Sequence, residues 1–282
     1  MKTLGEVYRL SVELLQNKKI EKAKFVVQEL MASVLGIDRM SLFMQFDRPL
    51  EEKELNKLRS YIFRKAKGEP LEYILGFLEF YHCRLSVTPQ VLIPRPETEI
   101  LLDGVVTDLA QIDLSGKEAW DLCTGSGCLA IGLKKKYPQL EVTGVDLSLE
   151  ALQVARLNAK DNAVDVSFVY SDMFSALQGR KVDFLLCNPP YITKKEYEAL
   201  DSSVRDYEPK VALVGGESGL EFYQTLAQEL PKHLRAGGKA FFEIGTGQGE
   251  AVRNLFASSV WKQKKVGKDW SGHDRFFFLE IE

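Results

Sequence analysis

Apolar residues in the first 75 positions recur at helical spacing. Leu4, Val7, Leu10, Leu14 and Leu15 form one stripe, and Ala23, Val26, Val27, Leu30, Met31, Val34 and Leu35 form a second. Leu55, Leu58, Ile62 and Phe63 make a third. Gly36 supplies a stop after the second stripe, and Pro49 with Glu51 and Glu52 announces the third helix. Gly68-Glu69-Pro70 ends the helical region. Tyr73 to Val91, with Phe77, Phe80, Tyr81, Leu85 and Val87, reads as extended or hairpin-like. Pro89, Pro94 and Pro96 stiffen the loop that follows, and a short helix is expected around residues 97–109.

From Lys117 onward, strands alternate with helices. Strands are expected at 118–122, 141–146, 166–170, 182–187, 238–244, 260–266 and 275–281, and helices near 127–136, 148–161, 219–234 and 247–257. Such alternation predicts a parallel sheet covered by helices on both faces. Only Gly267 to Asp274 separate the last two strands, too few residues for a helical crossover, so these are expected to pair antiparallel. The chain then reads as an α/β protein with a helical domain over 1–75, a hairpin and proline-rich linker over 76–96, and a Rossmann-like domain over 97–282.

Composition narrows the class. With 282 residues, 45% apolar and 27% charged, the chain has the make-up of a globular protein of two domains. The net charge of -3 provides no global field toward nucleic acid or an anionic membrane. Residues 1–75 are net +3 and the remainder -6, a mild asymmetry. The four cysteines include no CxxC pair, and three histidines are available to join them. Neither a zinc site nor a disulfide framework is expected, and reduced thiols point to a cytoplasmic setting. The N-terminus lacks a signal-peptide core, and no apolar run approaches the ~20 residues that span a bilayer.

The candidate chemistry begins at Asp121-Leu-Cys123-Thr124-Gly125-Ser126-Gly127, which runs from a buried strand into a helix. The two glycines permit torsions and close approach that a β-carbon blocks. Asp146 ends the next strand, 21 positions after Gly125, where a carboxylate can accept hydrogen bonds from ribose hydroxyls. This order of strand, glycines, helix and acid predicts a nucleoside site. The spacing also satisfies GxGxxA, so a dinucleotide fits it, but Asp121 would repel a pyrophosphate and attract the cationic methionine end of S-adenosylmethionine. After the third strand, Asp172 and Met173 are placed to meet the adenine, the first at its amino group and the second against the ring; a helix cap followed by a core residue is the alternative for this pair.

Asn188-Pro189-Pro190-Tyr191 follows the apolar strand 182–187. Two prolines remove two amide donors and stiffen the turn. The Asn188 side-chain oxygen and the Pro189 carbonyl can then act as paired acceptors for the two hydrogens of a planar amino group, with Tyr191 against its flat face. Holding a weakly nucleophilic nitrogen this way is catalysis by orientation and electrostatics.

Several segments together resemble the release factor glutamine methyltransferase family: Ile93-Pro-Arg-Pro-Glu-Thr-Glu99, the glycine loop, Asn188-Pro-Pro-Tyr191, Tyr207-Glu-Pro-Lys-Val-Ala-Leu213, Gly215-Gly-Glu-Ser-Gly-Leu220 and Phe242-Glu-Ile-Gly245. The resemblance implies a seven-stranded methyltransferase domain behind a helical bundle and a hairpin linker. It implies methylation, from S-adenosylmethionine, of the glutamine amide in the Gly-Gly-Gln motif of bacterial peptide-chain release factors. By matching positions, Cys123 to Gly127, Asp146, Met173 and Asn188 would contact the cofactor, and Asn188 to Tyr191 would hold the glutamine. Cys123 stands where the family usually has glycine, and Met173 where an aromatic is common.

Two other classes remain in view. Methyltransferases for exocyclic amino groups of nucleic-acid bases share Asn-Pro-Pro-Tyr but require dense phosphate contacts, which a catalytic region at net -6 disfavours. A nicotinamide-dependent oxidoreductase leaves the tetrapeptide without a role. A silent binding module leaves both motifs unexplained. Release factors are the expected partners, with no metal, no direct nucleic-acid contact and no membrane.

Overall fold

In the computed structural model, which describes residues 2–282, a capping box starts the first helix. The Thr3 side chain accepts from the Glu6 amide at 3.3 Å, and the Glu6 carboxylate accepts from the Thr3 amide at 2.9 Å. The three expected helices are α1 (Leu4–Asn17), α2 (Ala23–Leu35) and, after the short α3 (Arg39–Met44), α4 (Glu52–Ala66). α2 stops at Gly36, whose left-handed backbone lets its amide bond the Ala32 carbonyl. α3 and a further short helix, α5 (Leu71–Leu75), were not expected, because five or six residues are too few to show a stripe. α5 occupies residues read as extended from Tyr73 onward and ends at Gly76. Leu4, Leu15, Val27, Leu30, Met31 and Leu58 form the core.

The chain divides into two compact units, and this helical one also contains residues 201–207. The Tyr207 hydroxyl donates to the Lys67 carbonyl at 3.0 Å, tying that later segment to the end of α4.

The larger unit comprises residues 77–200 and 208–282. It opens with an antiparallel hairpin, β1 (Phe77–Phe80) and β2 (Cys83–Ser86), followed by α6 (Pro96–Leu109). The hairpin read as part of a linker packs firmly here. Asn158, fully buried, donates to the Ser86 and Ser126 carbonyls at 3.0 and 2.9 Å and accepts from the Ser86 amide at 2.7 Å. Then follow β3 (Glu118–Leu122), α7 (Cys128–Lys136), β4 (Glu141–Asp146), α8 (Leu149–Asp161), β5 (Ser167–Tyr170) and β6 (Val182–Cys187). After α9 (Lys194–Glu198) and α10 (Ser202–Arg205, in the helical unit) come α11 (Glu221–His233), β7 (Leu234–Glu243), α12 (Gly249–Leu255), β8 (Trp261–Lys268) and β9 (Asp274–Ile281).

These seven strands form one sheet in the order β5-β4-β3-β6-β7-β9-β8. β3 to β7 are parallel, and β9 runs antiparallel to both β7 and β8, as their short connection predicts. All six residues of β6 are buried, which is why its sequence is apolar apart from one acid, Asp183. Apolar layers cover both faces, one centred on Trp120, Tyr223 and Phe242, the other on Leu101, Ile131 and Phe241. β7 begins four residues before the expected 238, because Leu234 pairs with Val182 and the following shift in register accommodates Gly237 at a positive φ. Among the described residues no helix is long and apolar enough to cross a membrane.

Candidate active site

The strand order reverses beside β3: the chain moves from β3 outward to β4 and β5, then returns to place β6 on the other side. In parallel sheets, the crevice beyond the carboxyl ends of the strands at such a point is where ligands bind. Leu122 and Cys187 are register partners, so the glycine loop and the Asn-Pro-Pro-Tyr loop leave the sheet as neighbours.

The glycine loop is held by its own backbone and by two acids. The Thr124 amide donates to the Val145 carbonyl at 3.0 Å, and the Gly127 amide to the Thr124 carbonyl at 2.8 Å. A β-carbon on Gly127 would lie 2.9 Å from Ile131 Cδ1 and 3.2 Å from the Ala155 methyl, so glycine allows α7 and α8 to close on the loop. Cys123 adopts a left-handed backbone at φ +58, a conformation that glycine takes at no steric cost and a β-carbon disfavours. Its sulfur lies 3.9 Å from that of Met173, another residue at positive φ. The buried Cys187 thiol also meets Cys123, and burial pushes its pKa well up.

Asp121 is 2% exposed. One oxygen accepts from the Thr124 hydroxyl at 2.6 Å and the Ala130 amide at 3.1 Å; the other, Oδ1, is buried and has no hydrogen-bond partner among the described residues. Burial pushes this carboxyl up to about 7. Asp121 therefore sits behind the loop as a clamp and does not line the cleft, unlike the sequence expectation that set it beside a bound cation. Asp146 does line it. Its two oxygens accept from the Gly125 amide at 2.8 Å and the Ser148 amide at 2.9 Å, and burial raises its pKa.

Cys123, Gly125, Asp146, Asp172, Met173 and Asn188 come together on one cleft, with Pro190. Thr124, Ser126 and Gly127 shape the loop from behind, and Pro189 and Tyr191 lie outside the lining. Val91 and Leu92 form part of the outer wall with Val211 and Ala212. Glu208 joins these two segments: its buried carboxylate accepts from the Ile93 amide at 3.1 Å and pairs with Arg95. Sequence reading assigned no role to Arg95 or Glu208.

The tetrapeptide is anchored through groups that sequence reading also left without a role. Asn188 Nδ2 donates to Thr98 Oγ1 at 3.2 Å, and that hydroxyl donates to Glu243 Oε2 at 2.7 Å. The Tyr191 hydroxyl donates to the other oxygen of Glu243 at 3.1 Å. Glu243 is 1% exposed; burial raises its pKa against the two hydroxyl donors that lower it. Burial, followed by the adjoining Glu243, pushes the Tyr191 phenol well up. Gln248 holds the loop from outside, donating to the Tyr191 carbonyl at 3.1 Å and accepting from the Gly245 amide at 2.9 Å. Gly215 passes so close that a β-carbon there would run into the Pro190 carbonyl oxygen. Thr98, Glu208, Glu243 and Gly215 all fall inside the segments that carried the family resemblance, which is the signal by which they could be found.

Comparison with known proteins agrees with this geometry. Residues 97–205 match the methyltransferase small domain family, and residues 6–76 match the PrmC N-terminal domain family. A release factor glutamine methyltransferase from Geobacter sulfurreducens is 37% identical over 273 residues, covering 97% of this chain and 95% of that protein. One from Thermodesulfovibrio yellowstonii is 38% identical over 254 residues, covering 90% and 91%. A methyltransferase structure from Pyrococcus furiosus, 18% identical, shares the fold with a TM-score of 0.53 over 80% of this chain and 98% of that one. With such identity sustained along nearly its whole length, the chain belongs to the release factor glutamine methyltransferase family.

Proposed function

We propose that the protein transfers a methyl group from S-adenosyl-L-methionine to the side-chain amide nitrogen of the glutamine in the Gly-Gly-Gln motif of a peptide-chain release factor. The observation that carries the reading is Asn188, which lines the cleft while its amide is locked from behind through Thr98. The cleft suits the cofactor on three counts. Asp146 presents a carboxylate with lone pairs left for ribose hydroxyls, the glycine loop carries no β-carbon at Gly125, and Asp121 fixes that loop from behind through Thr124 and Ala130. Asp172 and Met173 flank the adenine position.

When bound, S-adenosyl-L-methionine supplies an electrophilic methyl on a cationic sulfur. The chain's own residues do the rest by orientation, and the nitrogen that gains the methyl gives up one of its two hydrogens to water as a proton. Asn188 Oδ1 on the cleft wall and the Pro189 carbonyl, just outside the lining, are assigned the two hydrogens of the glutamine amide, fixing the nitrogen and raising its electron density. Tyr191, outside the lining, steadies the turn from its far end and stays protonated, since its pKa is raised and its hydrogen is given to Glu243, so it is not the base. Mass spectrometry of a release factor incubated with enzyme and cofactor tests the reading. Gain of one methyl on the Gly-Gly-Gln peptide is expected, and an unmodified peptide overturns it.

A single glutamine offers too little surface to select one protein among many, so the helical unit is assigned the docking role. It is cationic over residues 1–75, and α3 exposes Met40 and Met44. Replacing both with serine should lower kcat/KM for the intact release factor more than for a short Gly-Gly-Gln peptide. Equal effects on the two substrates would remove this role.

A further inference from the structure

Glu243 and Thr98 are not themselves part of the cleft lining, yet the direction of their hydrogen bonds bears on the proposed reaction. Glu243 receives two hydroxyl hydrogens, one from Thr98 at 2.7 Å and one from Tyr191 at 3.1 Å. A hydroxyl has a single hydrogen, and that of Thr98 is committed to Glu243. Thr98 Oγ1 therefore faces Asn188 with lone pairs alone, so the Asn188 atom it meets must be a donor. That atom is Nδ2, at 3.2 Å. The rotation of the Asn188 amide is set by this count of donors: Nδ2 points back into the protein, and Oδ1 takes no donor among the described residues.

We infer that Thr98 and Glu243 are positioning residues that hold Asn188 in the rotation presenting its carbonyl oxygen, so that it accepts the N–H of the substrate amide. The inference rests on the proposed reaction at Asn188. In the opposite rotation Nδ2 would confront the substrate's own N–H groups, donor against donor, and the nitrogen would lose its orientation. Because Glu243 also anchors Tyr191, one buried carboxylate at the end of β7 sets both ends of the tetrapeptide. The chain of bonds spans three elements: the first turn of α6, the end of β7 and the loop after β6.

Thr98→Val keeps the side-chain shape and removes the hydroxyl. It should lower kcat on the release factor about 10- to 100-fold, with KM, melting temperature and affinity for S-adenosylhomocysteine nearly unchanged. Thr98→Ser restores the hydroxyl and should recover kcat to within about threefold of wild type. In an Asn188→Ala background, Thr98→Val should bring no further loss, because its effect passes through Asn188. Near-normal turnover in Thr98→Val, failed rescue by serine, or an undiminished loss in the Asn188→Ala background would overturn the inference. NMR of the wild type supplies a test independent of turnover and of variant folding. One Asn188 side-chain N–H should exchange with solvent at least tenfold more slowly than the other, being the one held by Thr98. Equal exchange of the two hydrogens refutes the relay. A wild-type enzyme that leaves the release factor unmethylated refutes the proposed function instead, while the exchange measurement still decides the relay.

Discussion

Replacing Asp121 with asparagine should alter stability in proportion to pH. Burial keeps this carboxyl protonated in the folded protein up to about pH 7, against an ordinary value of 3.8. Between those two values the unfolded chain releases a proton that the folded one retains. Wild-type stability therefore falls by about 1.4 kcal/mol per pH unit across the window from this group, and by on the order of 4 kcal/mol in all. Asparagine does not titrate. Its Oδ1 can keep the bonds to Thr124 and Ala130, but its Nδ2 then occupies the place of the unpartnered oxygen, which costs about 1–3 kcal/mol at every pH. The variant should accordingly be the less stable protein near pH 4, overtake the wild type as pH rises, and hold a constant advantage above about pH 7. Urea unfolding of both proteins at fixed ionic strength, without added cofactor and in steps from pH 5 to pH 8.5, reads the difference directly. A variant-minus-wild-type stability that stays flat across this range, or that falls as pH rises, would refute the assignment of a protonated, buried Asp121.

Asn188→Ala should raise the barrier to methyl transfer by on the order of 3 kcal/mol, as loss of one preorganised polar partner does elsewhere, while calorimetric affinity for S-adenosylhomocysteine stays close to wild type. Near-normal turnover would contradict the role given to that side chain. Cys123→Gly should raise the melting temperature slightly, because relief of a left-handed backbone (about 1–2 kcal/mol) exceeds the entropy that glycine loses on folding (about 0.5–1 kcal/mol); a lower melting temperature counts against strain at this position. Arg95→Met leaves the buried Glu208 carboxylate without its cation and should destabilise by on the order of 2 kcal/mol, since Arg95 is itself partly exposed. Urea unfolding checks this, and a loss below about 0.5 kcal/mol would show that the pair does not fasten the outer wall.

The central strands were legible because their patterns are unambiguous. β3, β4 and β6 occupy the residues expected for them, each a short apolar run bounded by turn residues or followed by an acid at its carboxyl end. α3, α5, α9 and α10 were not, because one or two turns leave no periodicity to read, and the attachment of residues 201–207 to the helical unit has no local signature at all. The same division runs through the site. The glycine loop and the Asn-Pro-Pro-Tyr turn are contiguous and could be read as units. Thr98 stands 90 positions before Asn188 and 145 before Glu243, so nothing in local chemistry links them until the sheet sets β6 beside β7. Asp121 illustrates the converse: its position along the chain was read correctly, but whether its carboxylate faces the cleft or the rear of the loop depends on the Thr124 hydroxyl and the Ala130 amide that claim it.

The return of residues 201–207 to the helical unit has a consequence in time. During synthesis the first 76 residues emerge with every helix stripe of that unit, yet Tyr207, which closes onto the end of α4, follows about 130 residues later. At a translation rate of about 5–20 residues per second, the unit waits roughly 7 to 26 seconds for its final segment. By then β1 to β6 have also been made, leaving β7, β9 and β8 to complete the sheet. The helical unit is thus not a module that finishes first and stands ready, and its last contact is formed while most of the catalytic sheet is already available to fold.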